Sequence, residues 1–157
     1  MLKVLRRNTY PIKERTWGTE VWIVNESYCC KEMFLRPLHW GSLHFHREKH
    51  ETFLVHSPLV VYTVEFHKDD LEFFRTWNKF PSIRECESTL LISHRGNKFE
   101  VPGLHKSKFL LDEGDSIQIP PYTAHFFTSE KSSYFTEIST HHKDSDVVRI
   151  LEGGEAL

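Results

Sequence analysis

The sequence predicts an all-β protein, a sandwich or barrel built from many short strands. Segments rich in valine, isoleucine, threonine and aromatic residues recur at close spacing between turn residues, which is the pattern of sandwiches and barrels. An apolar period of 3.6 residues, the mark of an amphipathic helix, is hard to find along most of the chain. Strands therefore account for most of the expected secondary structure.

The predicted strands run from the first third of the chain almost to its end. They are expected at 20–24, 27–35, 42–46, 51–56, 60–66, 90–93, 116–119, 125–128 and 133–139. The best helical exception is 69–77, where Asp69 or Asp70 can cap a short helix with apolar residues on one side. We place this helix in an insertion or lid over 68–108, the least regular part of the sequence.

Length and composition favour one globular domain, residues 1–157, that needs neither disulfides nor a structural metal to form a core. The fractions of hydrophobic residues, 39%, and charged residues, 27%, argue against disorder. A formal net charge of -2 does not favour a basic surface for nucleic acid. No apolar run is long enough to span a bilayer, and the first residues lack the apolar core of a signal peptide.

The cysteines indicate a reducing compartment. Cys29, Cys30 and Cys86 are odd in number, and none belongs to a C-x-x-C pair. This arrangement fits neither a disulfide framework nor a zinc knuckle. We expect reduced thiols and a cytoplasmic protein.

The stretch His44-Phe-His-Arg-Glu-Lys-His-Glu51 concentrates histidines and carboxylates. In a strand, residues i and i+2 point to the same face, so His44 and His46 present two imidazoles side by side. Trp40 and Ser42 share that face if the strand extends so far. A polar turn then leads to Glu51, and a hairpin there could bring its carboxylate back beside the imidazoles.

A second informative stretch, Gly114 to His125, consists of a glycine turn, a strand, a proline turn and a histidine that opens another strand. It could supply a further ligand. The remaining isolated histidines are more simply surface or hydrogen-bonded core residues. This expectation covers His39, His50, His56, His67, His94 and His105.

The two stretches resemble the paired sequence motifs of the cupin superfamily. His44, His46 and Glu51 fit the first motif, and Gly114, Pro120 and His125 fit the second. The resemblance implies a jelly-roll barrel in which His44, His46, Glu51 and His125 converge on one metal. Such ligands suit a divalent transition metal, with Mn, Fe, Co, Ni and Zn all left open.

The sequence departs from the cupin motifs at turn positions. Leu38 and Tyr122 stand where the motifs have a glycine, Pro58 replaces the closing glycine of the first motif, and Ser129 replaces the last asparagine of the second. All four implied ligands remain. The departures therefore concern the loops more than the ligands.

The ends of the chain resemble small sugar-processing cupins, akin to D-lyxose ketol-isomerase and to cupins associated with sialic-acid synthesis. The resemblance rests on 17–25 and 137–149, and Lys49 matches a lysine of the isomerase motif. It implies a metal-dependent isomerase of a small aldose and ketose. Such chemistry needs a base and a group that protonates an oxygen. We assign the role of base to Glu137, with Glu51 as the other candidate. Lys49 is assigned the role of protonating the oxygen.

Desolvation beside the metal is expected to lower the pKa of Lys49. Trp40 is the aromatic residue we expect to contact the substrate, although most tryptophans of such a fold belong to its core.

Two other functions remain open at this stage. One is a non-catalytic sugar-binding accessory cupin of a surface-polysaccharide or sialic-acid pathway. The other is an iron dioxygenase that uses the same ligands. For each of these functions the expected partner is a small molecule. For the isomerase and the sugar-binding cupin it is a sugar or sugar phosphate. We expect neither nucleic acid nor a membrane as a partner. We expect a homodimer, in which the strand at 21–24 could extend the partner's sheet.

Overall fold

The structure is a computed structural model that describes residues 4–65, 82–86, 89–94, 97–100 and 105–155. Within these ranges the regular structure is β, apart from 3-10 turns at Arg7–Thr9 and Asp144–Asp146. The strands in chain order are β1 (Ile12–Arg15), β2 (Gly18–Asn25), β3 (Tyr28–Leu35), β4 (His39–Trp40), β5 (Leu43–His46), β6 (Glu51–Val55), β7 (Leu59–Glu65), β8 (Ser82–Cys86), β9 (Thr89–His94), β10 (Asn97–Glu100), β11 (His105–Leu111), β12 (Ser116–Ile119), β13 (Thr123–Ser129), β14 (Ser133–Thr140), β15 (Val147–Leu151) and β16 (Gly154–Glu155).

The strands form two main antiparallel sheets. One is 6-stranded with the order β1-β2-β3-β14-β6-β12. The other follows the path β11-β7-β13-β4-β16, with β5 paired to both β13 and β15. Several neighbours in each sheet are far apart in sequence, as when β14 pairs with both β3 and β6. This interleaving is the topology of a jelly roll and confirms the predicted fold class.

Each strand predicted from the sequence coincides with an observed strand. The strands that the pattern misses are β1, β4, β8, β10, β11, β15 and β16. Two of these, β4 and β16, have only two residues, which is too short for an alternating pattern. The strand expected to extend a partner's sheet, β2, lies between β1 and β3, so the sheet edge on that side belongs to β1.

The predicted insertion contains strands. β8, β9 and β10 form a separate 3-stranded antiparallel sheet, and β11 joins the main sheet next to β7. The helix predicted at 69–77 and the closure of a lid lie outside the described residues. No helix in the part of the chain that the structure describes is long and apolar enough to cross a membrane.

The core fills one end of the space between the two sheets. The inward face of each strand is buried by the alternation of side chains, as in β6, where Phe53 and Val55 are 2% and 0% exposed. Trp17 packs edge-on against Phe127, with ring centroids 5.0 Å apart. The buried cluster comprises Trp17, Met33, Leu35, Phe53, Val55, Leu59, Val61, Ile119, Phe127 and Phe135.

Candidate metal centre and cavity

The inward face of the barrel changes from apolar to polar along its strands. On β13 the inward residues are His125 and then Phe127, and on β6 they are Glu51 and then Phe53. Because the strands are antiparallel and in register, these polar positions fall together: His125 is opposite His44, and Ser139 is opposite Glu51. The barrel interior therefore has an apolar core at one end and a polar site at the other.

The four predicted ligands meet at this polar end. Ligand atoms of His44, Glu51 and His125 all lie within 4.8 Å of one another. His46 joins them through Nε2, which is 3.4 Å from Glu51 Oε1. The hairpin turn between β5 and β6 brings the Glu51 carboxylate back to the imidazoles, as the spacing suggested.

Each of the three imidazoles is oriented through its Nδ1 atom. His44 Nδ1 lies 2.8 Å from the Ser42 carbonyl oxygen, and His125 Nδ1 lies 3.0 Å from the Thr123 carbonyl oxygen. His46 Nδ1 is 3.2 Å from Asp146 Oδ2. A proton on each Nδ1 satisfies these acceptors and leaves Nε2 as a free lone pair, which is the usual arrangement of metal-ligating histidines.

Two buried atoms in the cluster have no hydrogen-bond partner among the residues that the structure describes. They are Glu51 Oε2 and His125 Nε2, which lie 3.1 Å apart without hydrogen-bond geometry. Buried polar atoms are rarely left unpaired, because desolvation then costs about 1–3 kcal/mol each. A cation between them would satisfy both. The donor set of imidazoles and one carboxylate thus fits a divalent transition metal, whose identity these ligand types do not select.

The charges of the cluster are tightly coupled. Burial, reinforced by His125, lowers the pKa of His44 well below its ordinary value. Burial raises the pKa of Glu51, but His125, His46 and Lys49 together outweigh it, and the net shift is well below the ordinary value. Glu51 is therefore an ionised carboxylate, as a metal ligand must be.

A chain of alternating charges leads from Glu51 along the wall of the barrel. Lys49 Nζ donates to Glu51 Oε1 at 2.7 Å and to Glu137 Oε1. Lys31 Nζ donates to both oxygens of Glu137, at 3.2 Å and 3.3 Å, and Ser139 Oγ donates to Oε1 at 3.2 Å. All five side chains are buried. Lys49 and Glu137, the two residues assigned to proton transfer, are thus in direct contact beside the candidate ligands.

In the metal-free chain the pKa of Lys49 shifts upward, opposite to the effect of desolvation alone. Desolvation does lower the pKa of Lys49, but the carboxylates of Glu137 and Glu51 outweigh it, and the net shift is upward. Burial raises the pKa of Glu137, but Lys31 and Lys49 lower it to about 2. Lys49 is an ammonium group and Glu137 is a carboxylate, because each charge stabilises the other.

A cavity of about 550 Å³ opens onto this site, a volume typical of small-molecule pockets. His44, His46 and Glu51 lie in its wall together with Lys49 and Glu137. The tryptophans that line it are Trp17 and Trp22. Trp40 is not among the described residues that line this cavity, and its contact with a substrate stays a prediction.

Trp40 misses the cavity because the strand does not continue from Trp40 to His44. β4 ends at Trp40 and β5 begins at Leu43, so the period of two is interrupted between them. The indole packs edge-on against Phe126, with ring centroids 6.0 Å apart. Phe126 follows the inward-facing His125 and therefore lies on the opposite face of β13.

Three further side chains of the site were not identified from the sequence. Lys31 had a signal, since a lysine between Cys29 and Met33 on a buried strand face requires a carboxylate partner. Asp146 and His142 had none, because both lie in the polar stretch after β14. The isolated His39 and His56 bond Pro37 and Thr136, as expected of non-ligands, and His67 lies outside the described residues.

Three-dimensional comparison relates the chain to known double-stranded β-helix proteins. CapF, a capsular polysaccharide assembling protein from Staphylococcus aureus, aligns over 91% of this chain and 31% of its own, with 10% identity and a TM-score of 0.59. Oxalate decarboxylase from Bacillus subtilis, with Mn(II) centres, aligns over 92% of this chain and 31% of its own, with 15% identity and a TM-score of 0.60.

A protein with a double-stranded β-helix domain from Klebsiella pneumoniae subsp. pneumoniae aligns over 97% of this chain and 100% of its own. Its identity is 9% and its TM-score 0.55. The chain spans about a third of the length of CapF and oxalate decarboxylase. No protein-family model and no curated protein matches the sequence.

At these identities the comparisons establish the fold. The protein has a double-stranded β-helix fold, as the two sequence motifs implied. Its polar end carries a candidate site for a divalent metal, built from His44, Glu51 and His125 with His46 beside them.

Proposed function

We propose that the protein is a metal-dependent isomerase that interconverts a small aldose and a ketose. The observation that carries this proposal is the buried contact between Lys49 and Glu137 beside the candidate metal ligands, within a cavity of sugar size. Isomerisation requires a base for the proton next to the carbonyl and a donor for the oxygen that gains charge. Glu137 and Lys49 supply these two groups within one cavity.

Each residue has a definite part in the proposed reaction. His44, His46, Glu51 and His125 would hold the metal, which would supply electrophilic stabilisation of the enediolate. The Glu137 carboxylate takes the proton from the carbon next to the carbonyl and returns it to the neighbouring carbon. The Lys49 ammonium protonates the carbonyl oxygen and takes a proton back from the neighbouring hydroxyl as that oxygen becomes the new carbonyl.

The low pKa of Glu137 bears on this proposal. With Lys31 and Lys49 both bound to it, Glu137 is a weak base in the free protein. A substrate oxygen that takes over the Lys49 hydrogen bond would leave Glu137 with Lys31 and Ser139 alone. The basicity of Glu137 would then rise when substrate is bound.

The test is an activity screen of protein loaded separately with Mn, Fe, Co, Ni or Zn. We expect interconversion of lyxose with xylulose, mannose with fructose, or a related pair. Lys49→Met and Glu137→Gln should each lose turnover and keep the metal. Metal-loaded protein that is inert with every aldose and ketose tested would refute the proposal.

A second candidate is a non-catalytic, sugar-binding cupin of a surface-polysaccharide pathway. The strong stabilisation of the Glu137 carboxylate favours it, and it is compatible with the likeness to CapF. It predicts saturable sugar binding without turnover, unchanged in Lys49→Ala and Glu137→Ala. Oxygen uptake that requires both iron and substrate would instead favour a dioxygenase.

A further inference from the structure

His142 lies in the cavity wall and has no part in the proposed reaction. It follows β14 and lines the cavity together with His46 and Trp22. Its ring centroid is 6.1 Å from that of His46, and it meets the Trp22 ring edge-on at 5.0 Å. A molecule in the cavity beside the candidate metal centre would therefore meet His142.

The backbone of His142 is held by a side chain from the other end of the sequence. The His142 N–H donates to Asn25 Oδ1 at 2.8 Å, and Asn25 Nδ2 donates to the His142 carbonyl oxygen at 3.1 Å. Asn25 is the last residue of β2, so it is fixed by the sheet. The two reciprocal hydrogen bonds give His142 a defined position in an otherwise polar loop.

The two ring nitrogens of His142 differ in their surroundings. Nε2 is hydrogen-bonded to Asp144 Oδ1 at 3.2 Å. Nδ1 is buried and has no hydrogen-bond partner within the described part of the chain. A buried ring nitrogen in this condition favours any ligand that completes its hydrogen bonding. A hydroxyl suits it in either state of the ring, because a hydroxyl both donates and accepts.

We propose that His142 Nδ1 is the hydrogen-bond partner of a substrate hydroxyl, with Asn25 and Asp144 as positioning residues. His142 is then a specificity-determining residue that selects ligands with a hydroxyl at one defined position. This inference rests on the proposed function only in taking the ligand to be a sugar, and it does not require turnover.

The experiment uses probes that cannot react. Xylitol and D-mannitol carry the hydroxyls of a sugar and no carbonyl, so their binding is independent of isomerase activity. Each is titrated into zinc-loaded protein, and binding is followed by tryptophan fluorescence, since Trp22 contacts His142. The variant is His142→Phe, which keeps a flat ring and removes both nitrogens. The matched control is His141→Phe, because His141 is the exposed neighbour.

We expect His142→Phe to weaken binding of the better probe about tenfold, the equivalent of one hydrogen bond. His141→Phe should bind as the wild type does, and all three proteins should bind zinc equally. With ¹⁵N-histidine, saturation with the probe should shift the Nδ1 resonance of His142, a change that a purely structural role would not produce.

An Nδ1 resonance that stays in place while a probe binds would overturn the assignment. So would wild-type affinity in His142→Phe, or failure of both probes to bind the wild type. Probe binding with the expected shift, in a protein that turns over no aldose, would keep this assignment and refute the isomerase.

Discussion

The Asp146 carboxylate lies 3.2 Å from His46 Nδ1 and at the same time holds the turn that follows this histidine. Oδ1 accepts the backbone N–H groups of Arg47 and Glu48, at 3.0 Å and 2.9 Å, and Oδ2 accepts that of Lys49 at 3.2 Å. One carboxylate thus sets the orientation of His46 and the path of the chain to Lys49. The orientation of a candidate metal ligand and the placement of Lys49 depend on the same side chain.

Asp146→Asn is therefore expected to weaken metal binding. Carboxylates that orient a ligating histidine typically contribute 10-fold to 100-fold to metal affinity, and a loss of about that size is expected here. The measurement is a competition titration of zinc against a chelator of known affinity. The result does not depend on whether the protein is an enzyme.

Asp144→Asn provides the control for this prediction. Asp144 belongs to the same 3-10 turn, but it is exposed and bonds His142 rather than His46. Zinc affinity should stay at the wild-type value in this variant. If Asp146→Asn binds zinc as tightly as Asp144→Asn does, Asp146 has no role in orienting the ligand.

At the candidate metal site, some features could be predicted from the sequence and others could not. The geometry of a strand predicts that His44 and His46 share a face, and the observed β5 confirms it. The hairpin spacing allowed Glu51 to return to this pair, whereas the convergence of His125 came from the resemblance to cupin motifs, because strand pairing across about eighty residues leaves no local signal. Asp146 could not have been identified, since its local sequence is typical of a solvated turn.

The position of Trp40 outside the cavity wall could not be foreseen for the same kind of reason. A period of two relates residues only while the strand is continuous, and the break between β4 and β5 cannot be located from apolar spacing. The direction of the Lys49 pKa shift was also out of reach. Desolvation follows from burial alone, whereas the opposing effect requires knowing that Glu137 lies alongside.

Removal of the Lys49 charge is expected to affect stability as well as activity. Lys49→Met leaves the buried carboxylates of Glu51 and Glu137 without the cation between them, and loss of one partner of a buried pair costs about 3–5 kcal/mol. The free energy of unfolding in urea measures this cost. Turnover, if the protein is an isomerase, should fall by a factor of at least about 100.

Lys143→Met is the matched comparison at the surface. Lys143 Nζ lies 3.3 Å from Glu48 Oε2, and both side chains are more than half exposed. Exposed ion pairs of this kind contribute about 0–1 kcal/mol. Equal losses of stability in Lys49→Met and Lys143→Met would show that the buried charge chain is not formed in solution.

Glu137 should make the stability of the metal-free protein depend on pH in the acid range. Its pKa falls from an ordinary value of 4.5 to about 2 in the folded protein. The folded state therefore gains stability, about 3 kcal/mol, that is complete above pH 4.5 and is lost as the pH falls to about 2. The difference in unfolding free energy between wild type and Glu137→Gln should shrink over this interval. A difference that stays constant between pH 7 and pH 3 would contradict it.

Leu38 and Tyr122 provide a test at the two positions where cupin motifs have a glycine. Both residues have left-handed backbone conformations, with φ angles of 56° and 62°. The backbone has the turn geometry at both positions, but neither residue adopts it without strain. This strain costs about 1–2 kcal/mol per residue. Leu38→Gly should therefore raise the free energy of unfolding by about 1 kcal/mol, measured in urea.

Tyr122→Gly should gain less stability, because the Tyr122 ring packs against Phe45 with centroids 6.1 Å apart and that contact is lost.

Leu110→Gly is the control for Leu38→Gly. Leu110 is 72% exposed and lies in β11, where an extended backbone favours a side chain over glycine. This variant should lose about 0.5–1 kcal/mol. If Leu38→Gly destabilises the protein as much as Leu110→Gly does, the turn before β4 is not strained, and the loss of the motif glycine has been compensated locally.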